Sequence, residues 1–138
     1  MIKIYFDLRE EEKFIRETVF VIEQGFKEEF DELDSLSTHF VYYQNDNKAV
    51  GCLRILFNKE KQIYQIGRVA ILKEYRRKGI GKSLMLEAES YLRNMNVKRV
   101  YVSSQKRAEP FYTKIGYMKT GDYYLDENYP HLLMYKEL

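Results

Sequence analysis

The stretch YRRKGIGKSLM, which runs from Tyr75 to Met85, places positive charge and two glycines directly before a predicted helix. At a helix N-terminus the first amide N–H groups have no partners within the helix, and the helix dipole adds partial positive charge. Glycines let a ligand approach the backbone closely. This arrangement favours an anion, most often a phosphate. The side-chain cations around it are Arg76, Arg77, Lys78 and Lys82.

The spacing of these residues excludes two common phosphate-binding motifs. A Walker A loop, G-x-x-x-x-G-K-[ST], matches at residues 81–83, but Arg76 occupies the position of its first glycine. A dinucleotide-binding fingerprint, G-x-G-x-x-G, begins at Gly79 but has Leu84 in place of its third glycine. A solvated basic turn at the start of a helix remains the alternative to a phosphate site.

A strand before this loop and a helix after it must hold the loop in place. The spacing of apolar residues predicts a strand over residues 62–72 and a helix from about Gly79 to Met95. A further strand is predicted over residues 98–103. The strand–helix–strand order predicts a right-handed crossover between two parallel strands.

Shorter elements are predicted on both sides of this unit. The predicted strands cover residues 2–6, 39–44, 49–57, 117–125 and 131–136, and a helix covers residues 109–115. A first helix is predicted to begin near Leu8, with Asp7 as its cap. The apolar face of this helix is predicted to carry Phe14, Ile15, Thr18, Val19 and Ile22. Because the hairpins are antiparallel, the sheet must be mixed, and the predicted fold class is α+β with helices flanking a mostly antiparallel sheet.

Composition narrows the classes of protein to which this sequence can belong. The 138 residues, 45% hydrophobic and 32% charged, predict one globular domain over residues 1–138. A net charge of +2 and the lack of a long apolar run argue against general binding to nucleic acid or membranes. One cysteine and two histidines argue against a disulfide framework and a structural metal site. Because no signal-peptide pattern follows Met1, we expect a cytoplasmic protein.

Two segments of the chain resemble motifs of a known family. Residues 76–81, RRKGIG, fit at every specified position the [QR]-x-x-G-x-[GA] signature of motif A in the GNAT superfamily of N-acetyltransferases. Residues 108–117, AEPFYTKIGY, resemble the second segment of that family, A-x-x-F-Y-x-x-x-G-[FY]. The segments come in the right order, about 30 residues apart, and the order of strands and helices extends the resemblance over the chain. The segments VFVIEQGF and YPHLLMYKEL also resemble the small ElaA-like bacterial subgroup.

The resemblance implies a twisted sheet whose crossover strands splay apart to bind coenzyme A, with acetyl-CoA as the acetyl donor and no metal. It places the pyrophosphate on the amides of residues 77–82 and the pantetheine arm along the backbone of residues 69–71. Positions 104 and 105 are those where family members contact the cofactor arm. The implied cofactor residues are Val69, Ala70, Ile71, Arg76, Arg77, Lys78, Gly79, Ile80, Gly81, Lys82, Ser104, Gln105, Phe111 and Tyr112.

Acetyl transfer to an amine by direct attack requires a neutral amine, a stabilised carbonyl oxygen and a protonated leaving thiolate. A free primary amine has a pKa near ~10, so a base or a water chain must take its proton. The resemblance implies the Ile71 amide as the donor to the carbonyl oxygen and Tyr112 as the general acid. Adjacent helical residues point about 100° apart, so Phe111 is predicted in the core and Tyr112 at the cleft. A packed core tyrosine is the alternative for Tyr112.

The acceptor is predicted to be a small-molecule or peptide amine. In the family, the region after the first helix borders the acceptor site, and here it carries an acidic run at residues 28–34. The general base stays open. Glu23 and Gln24 are the first candidates for contacts to the acceptor, with Glu23 as a candidate catalytic residue, and His131 is a candidate for a proton relay. The predicted substrate-binding residues are Glu23, Gln24, Glu28, Asp31, Asp34 and His131. A solvated acidic face and a structural histidine remain the alternatives.

Two other functions remain open from the sequence. A catalytically silent domain that binds acyl-CoA would keep the same loop, although the presence of Tyr112 argues against it. Nucleic-acid binding would use the basic clusters, which include Lys98–Arg99 and Lys106–Arg107. Several of these cations are predicted near the 3′-phosphate of coenzyme A instead, and the low net charge disfavours nucleic acid. Dimers are frequent in the superfamily, which leaves a homodimer open.

Overall fold

The computed structural model describes residues 1–27 and 29–138. These residues form one eight-stranded sheet with helices packed against it. The strands are β1 (Ile2–Tyr5), β2 (Thr38–Tyr43), β3 (Ala49–Asn58), β4 (Ile63–Ile71), β5 (Arg99–Gln105), β6 (Met118–Lys119), β7 (Tyr124–Asp126) and β8 (Tyr129–Glu137). The helices are α1 (Glu10–Arg16), α2 (Ile80–Asn94) and α3 (Glu109–Lys114), with a π-helical segment (Glu17–Glu23) and short 3₁₀ helices at Glu32–Leu36, Lys73–Tyr75 and Lys106–Ala108.

The sheet is mixed and mostly antiparallel, as the sequence predicts. The strand order is β1-β2-β3-β4-β5-β8-β6, and β7 also pairs with β8. Among the described strands, β4 and β5 are the parallel pair, and α2 makes the crossover between them. No helix formed by residues 1–27 or 29–138 is long and apolar enough to cross a membrane.

The two crossover strands are paired over only part of their length. Residues 64–66 of β4 pair with residues 100–102 of β5, and the pairing stops there. Beyond Ile66, β4 contains a bulge, since Gly67 faces Arg54 of β3 while Ala70 faces Cys52. Within the bulge, Arg68 has a φ of 53°, a left-handed conformation that is uncommon for an L side chain. A bulge bends its strand, and this one lies where β4 leaves β5.

Helix α2 packs on the sheet through an apolar face that includes Ile80, Leu84 and Leu92. Gly51 of β3 makes this close packing possible. A Cβ atom at Gly51 would lie 2.8 Å from Cδ1 of Ile71 and 3.1 Å from Cγ2 of Ile80. A side chain at this position would have to displace Ile71 and Ile80, so glycine lets the start of α2 lie close to the end of β4.

The first helix differs from its prediction in both its cap and its buried face. The helix begins at Glu10. Asp7 does not cap the helix and instead forms an ion pair with Arg9. The helix continues as a wider π-helical segment, which rotates the later residues relative to an α-helical pattern. Ile22, within this segment, is consequently 75% exposed. Phe14 precedes the segment and is 62% exposed, because the buried face of α1 carries Glu12, Ile15 and Arg16. Glu12, Ile15, Arg16, Val19 and Phe20 form the buried face.

The predicted strand over residues 117–125 is also wrong as a single element. The structure has two short strands there, β6 and β7, and both pair with β8. Residues 120–123 between them contain Gly121 with a φ of 63°, a conformation that ends a regular strand. The remaining strands and helices were predicted close to their observed bounds.

Candidate active site

Two cavities open where β4 leaves β5, and they meet. The first, of about 740 Å³, lies beside the basic loop and the start of α2, and we call it the loop cavity. The second, of about 480 Å³, lies between the π-helical segment and the ends of β5 and β8, and we call it the inner cavity. The residues that line both are Gln24, Val69, Arg76, Ala108 and Tyr112.

Most of the predicted cofactor-binding residues line the loop cavity. They are Val69, Ala70, Ile71, Arg76, Arg77, Gly79, Ile80, Gly81, Lys82, Phe111 and Tyr112. These residues come from the end of β4, the basic loop, the first turn of α2 and the helix α3. The two segments on which the family resemblance rests therefore meet at the loop cavity.

The basic loop presents a row of backbone amides to the loop cavity. Gly79 caps α2 in a left-handed conformation with a φ of 81°, and Arg77 has a φ of 62°. Within the described chain, the amides of residues 77–82 have no acceptor within hydrogen-bond distance. Gly81 lies against Phe111, whose Cζ would be 3.3 Å from a Cβ atom at that position. Unpaired amides at a helix N-terminus form a binding site for a phosphate.

The backbone of Ile71 faces the gap between the splayed strands. Leu72 donates its amide hydrogen to the carbonyl of Val50 on β3. Because successive residues of a strand direct their N–H and C=O groups to opposite sides, those of Ile71 point away from β3. Nε of Arg76 donates to this Ile71 carbonyl at 2.9 Å. The Ile71 amide is thus directed away from β3, into the gap between β4 and β5.

Three of the predicted cofactor-binding residues take other positions. The ammonium of Lys78 lies 5.5 Å from the centre of the Tyr75 ring, and Lys78 does not line the loop cavity as described. Ser104 is buried, and its hydroxyl donates to the Gln105 carbonyl. Gln105 lines the inner cavity. Because side chains alternate along β5, Ser103 faces the inner cavity and Ser104 faces the core.

Tyr112 lies at the junction of the two cavities, but the expected division between the two aromatic residues is not seen. Tyr112 is buried, with 7% of its surface exposed, whereas Phe111 is half-buried and packs edge to face on it. Among the described residues, none lies within hydrogen-bond distance of the Tyr112 hydroxyl. Burial raises the pKa of Tyr112, so the phenol remains protonated at neutral pH.

His131 of β8 lines the inner cavity and is nearly buried. Its Nδ1 lies 2.8 Å from the carbonyl of Tyr129, an acceptor, which fixes the hydrogen of a neutral imidazole on Nδ1. Nε2 is then left with a lone pair that can accept a proton. The ring stacks on Tyr124 at 5.9 Å and packs near Phe26 at 6.4 Å, measured between ring centres.

Glu23 ends the π-helical segment and Gln24 follows it. Glu23 forms an ion pair with an arginine, whereas Gln24 forms a hydrogen bond with another glutamine. The carboxylate of Glu23 accepts hydrogen bonds from both terminal nitrogens of Arg76, at 2.6 and 2.7 Å. These hydrogen bonds lower the pKa of Glu23, which makes it a weaker base. Gln24 lines both cavities, and its Oε1 accepts a hydrogen bond from Nε2 of Gln105 at 2.9 Å.

The acidic run forms an internal network of ion pairs with arginines. Asp34 is 5% exposed and pairs with Arg16 at 2.7 Å and with Arg54 at 2.8 Å. Asp31 pairs with Arg54 at 2.8 Å and with Arg68 at 3.4 Å. Neither Asp31 nor Asp34 lines the inner cavity as described. Their carboxylates therefore neutralise buried arginines, a role that the sequence analysis did not consider. The predicted residue Glu28 lies outside the described residues.

Several residues that line the inner cavity were not predicted. They are Phe20, Phe26, Glu29, Arg68, Arg107, Asp126 and Glu127. The Gly-Arg pair at residues 67–68 was a usable signal, because glycine inside a strand often marks a bulge. The other residues come from loops and strand ends whose approach to one another depends on the tertiary fold.

Comparison with known proteins assigns this chain to a family. The family of the acetyltransferase (GNAT) domain matches residues 7–138. The uncharacterised N-acetyltransferase YjcF of Bacillus subtilis (strain 168) is 34% identical over 127 residues, which cover 90% of this chain and 89% of the relative.

Solved structures show the same fold. Escherichia coli ElaA has a TM-score of 0.81 and 26% identity, and the match covers 99% of this chain and 100% of that chain. An acyl-CoA N-acyltransferase from Pseudomonas aeruginosa has a TM-score of 0.83 and 27% identity, covering 99% and 97%. These matches confirm the resemblance to the GNAT superfamily and to ElaA. The chain therefore belongs to the GNAT family and is an acetyltransferase.

Proposed function

We propose that this enzyme transfers an acetyl group from acetyl-CoA to a primary amine by direct attack. The observation that carries the proposal is the meeting of two cavities at Tyr112 and Val69, one lined by the basic loop and the other by polar side chains. A direct attack requires the donor and the acceptor to be held together with their reacting atoms in contact. Two cavities with a common wall satisfy that requirement.

The loop cavity is the proposed site for acetyl-CoA. The amides of residues 77–82 would bind the pyrophosphate, with Arg77 and Lys82 adding positive charge. The pantetheine arm would run along the unpaired edge of β4, at Val69 and Ile71. The Ile71 amide would donate to the carbonyl oxygen of the thioester, where negative charge develops as the amine attacks.

The inner cavity is the proposed site for the acceptor amine, a small molecule or a peptide. As the new C–N bond forms, the amine must lose a proton, and Nε2 of His131 is the proposed acceptor. As the C–S bond breaks, Tyr112 would donate its phenolic proton to the thiolate of coenzyme A. Glu23 is retained in this proposal as the residue that positions Arg76, because its lowered pKa makes it a poor base.

The proposal is tested by measuring thiol release from acetyl-CoA in the presence of a library of amines. Thiol release that depends on the amine, together with an acetylated product detected by mass spectrometry, would support it. The alternative is a catalytically silent domain that binds acyl-CoA. Binding of acetyl-CoA without thiol release for any amine in the library would favour that alternative.

A further inference from the structure

The three arginines that line the inner cavity differ in how their charges are balanced. Arg68 pairs with Glu29 at 3.0 Å, and Arg76 pairs with Glu23 at 2.6 Å. For Arg107, no carboxylate of residues 1–27 or 29–138 lies within 4.0 Å. Arg107 therefore makes no direct ion pair within the described residues, although Asp126 and Glu127 line the same cavity.

The side chain of Arg107 is held in place without the use of its terminal nitrogens. Its Nε donates to Oε1 of Gln105 at 2.7 Å, and Gln105 in turn donates to Gln24. Its guanidinium lies over the ring of Tyr129, 4.4 Å from the ring centre. Within the described part of the chain, both terminal nitrogens lack acceptors. A fixed guanidinium with its two terminal nitrogens available binds a carboxylate in a bidentate manner.

We propose that Arg107 binds a carboxylate of the acceptor, so that the acceptor is an amine that also carries an acid group, as amino acids do. This inference rests on the proposed function of the inner cavity. Arg107 lines the inner cavity, and the described lining of the loop cavity does not include it, which separates it from the site proposed for acetyl-CoA. Arg107 is one of the basic residues of which several are predicted near the 3′-phosphate of coenzyme A, and it lies at the inner cavity.

The other residues of the inner cavity favour an acceptor that carries a carboxylate and not a phosphate. They also favour an acceptor whose side chain is apolar and not charged. Asp126 and Glu127 line the same cavity and would repel a phosphate dianion more strongly than a singly charged carboxylate. The same two carboxylates would attract the ammonium form of the amine. Phe20 and Phe26 form an apolar wall, with 6.4 Å between their ring centres. The acceptor that fits these groups is an amino acid with an apolar side chain.

The test compares matched acceptors in the thiol-release assay. The panel consists of the proteinogenic amino acids, β-alanine and γ-aminobutyrate, each paired with its carboxamide, and simple alkylamines. For the preferred acid, kcat/KM is expected to exceed that of its carboxamide by about 10-fold or more, as for the loss of a charge-assisted hydrogen bond. A wild-type enzyme that uses carboxamides as well as acids would overturn the inference. In that case the proposed function would still stand.

The variants assign the preference to Arg107. Arg107→Gln is expected to bring the ratio of acid to carboxamide close to one and to leave the KM for acetyl-CoA within about twofold. Lys106→Gln removes the same charge from the neighbouring position, where the side chain lies near Tyr123, and should keep the wild-type ratio. A ratio that survives in Arg107→Gln, or a raised KM for acetyl-CoA in that variant, would contradict the inference.

A binding experiment covers the case in which no amine in the panel reacts. N-acetyl amino acids and their carboxamides, the expected products and their neutral counterparts, are titrated calorimetrically into the enzyme with coenzyme A present. Binding that requires the carboxylate and is lost in Arg107→Gln would support the inference. Binding that is equal for acids and carboxamides, or the absence of binding, would overturn it.

Discussion

The carboxylate of Glu23 is joined to the guanidinium of Arg76 by two hydrogen bonds, at 2.6 and 2.7 Å. The same guanidinium donates to the Ile71 carbonyl at 2.9 Å. This contact joins the π-helical segment to the basic loop at the place where the two cavities meet. The glutamate that the sequence suggested as a catalytic residue is therefore engaged in holding an arginine of motif A.

Replacing Glu23 by glutamine tests whether Glu23 positions Arg76 or acts as the general base. If Glu23 only positions Arg76, kcat should fall less than about 10-fold, because a general base contributes about 10²–10⁴-fold. The free energy of unfolding should change by less than about 1 kcal/mol, since the ion pair is exposed. Steady-state kinetics and urea unfolding measure both quantities. A loss of about 100-fold or more in kcat with normal stability would make Glu23 the base.

Removing the hydroxyl of Tyr112 should slow catalysis without affecting the fold. Tyr112→Phe is expected to lower kcat about 100-fold, as for the loss of a general acid, with little change in the KM for acetyl-CoA. Tyr117→Phe is the matched control, because its hydroxyl donates to the buried Glu89 at 2.8 Å. That variant should lose about 1–3 kcal/mol of stability and keep its kcat. Equal kcat values for Tyr112→Phe and the wild type would exclude the proposed acid.

His131 can be tested by chemical rescue. His131→Ala removes the proposed proton acceptor and leaves a space between Tyr124 and Phe26. We expect kcat to fall about 100-fold and added imidazole to restore part of the lost rate. His131→Gln fills most of that space, so imidazole should not rescue it. If imidazole fails to accelerate the alanine variant, another group or a water chain takes the proton.

The buried ion network predicts a large loss of stability when one carboxylate is removed. Asp34→Asn leaves Arg16, which is fully buried, and Arg54 without their shared partner. The expected loss is about 3–5 kcal/mol in the free energy of unfolding, measured with urea. Asp7→Asn is the control, since Asp7 is mostly exposed and its ion pair with Arg9 should contribute close to zero. Similar stabilities for the two variants would show that the network is not important for folding.

The same network predicts how stability changes with pH. Burial disfavours the charged form of Asp34, but the hydrogen bonds from Arg16 outweigh this and hold its pKa at about 2. The contribution of Asp34 should therefore be present above ~3.9, its unfolded pKa, and be lost as the pH falls toward 2. Burial also disfavours the charged form of His39, yet the hydrogen bond to Glu12 raises its pKa. Its contribution should be present below ~6.5 and be lost as the pH rises through its folded pKa. Urea unfolding should find a smaller loss of stability toward pH 2 in Asp34→Asn than in the wild type, and some loss should remain because the pKa values of Asp31 and Glu23 are also lowered.

The sequence predicted the parts of the enzyme that depend on local pattern. The strand, loop and helix around Gly79 follow from spacing and composition, and they were found close to their predicted bounds. The face of the first helix was predicted wrongly, because its buried face carries the charged Glu12 and Arg16 and because a π-helical segment shifts Ile22 to the surface. An α-helical periodicity has no means of showing that shift.

The contacts of charged side chains could not be predicted from local pattern. Asp34 lies 18 and 20 residues from its partners Arg16 and Arg54, and Glu23 lies 53 residues from Arg76. Arg107 lies at the inner cavity because β5 pairs with β8. This pairing places the ring of Tyr129 against the guanidinium of Arg107. A run of acidic residues in a sequence has the same appearance whether it faces solvent, a substrate or buried arginines. The tertiary fold decides between these roles.

The central claim is that the amides of residues 77–82 bind the pyrophosphate of acetyl-CoA, and calorimetric titration tests it most directly. Gly81→Glu places a negative charge in the loop cavity and a side chain against Phe111, and it is expected to abolish the binding of acetyl-CoA and of coenzyme A. Ser83→Glu adds the same charge to an exposed position of α2 whose amide already donates to Gly79, and it should bind with an affinity near that of the wild type. No binding by the wild-type protein, or equal binding by Gly81→Glu, would contradict the claim.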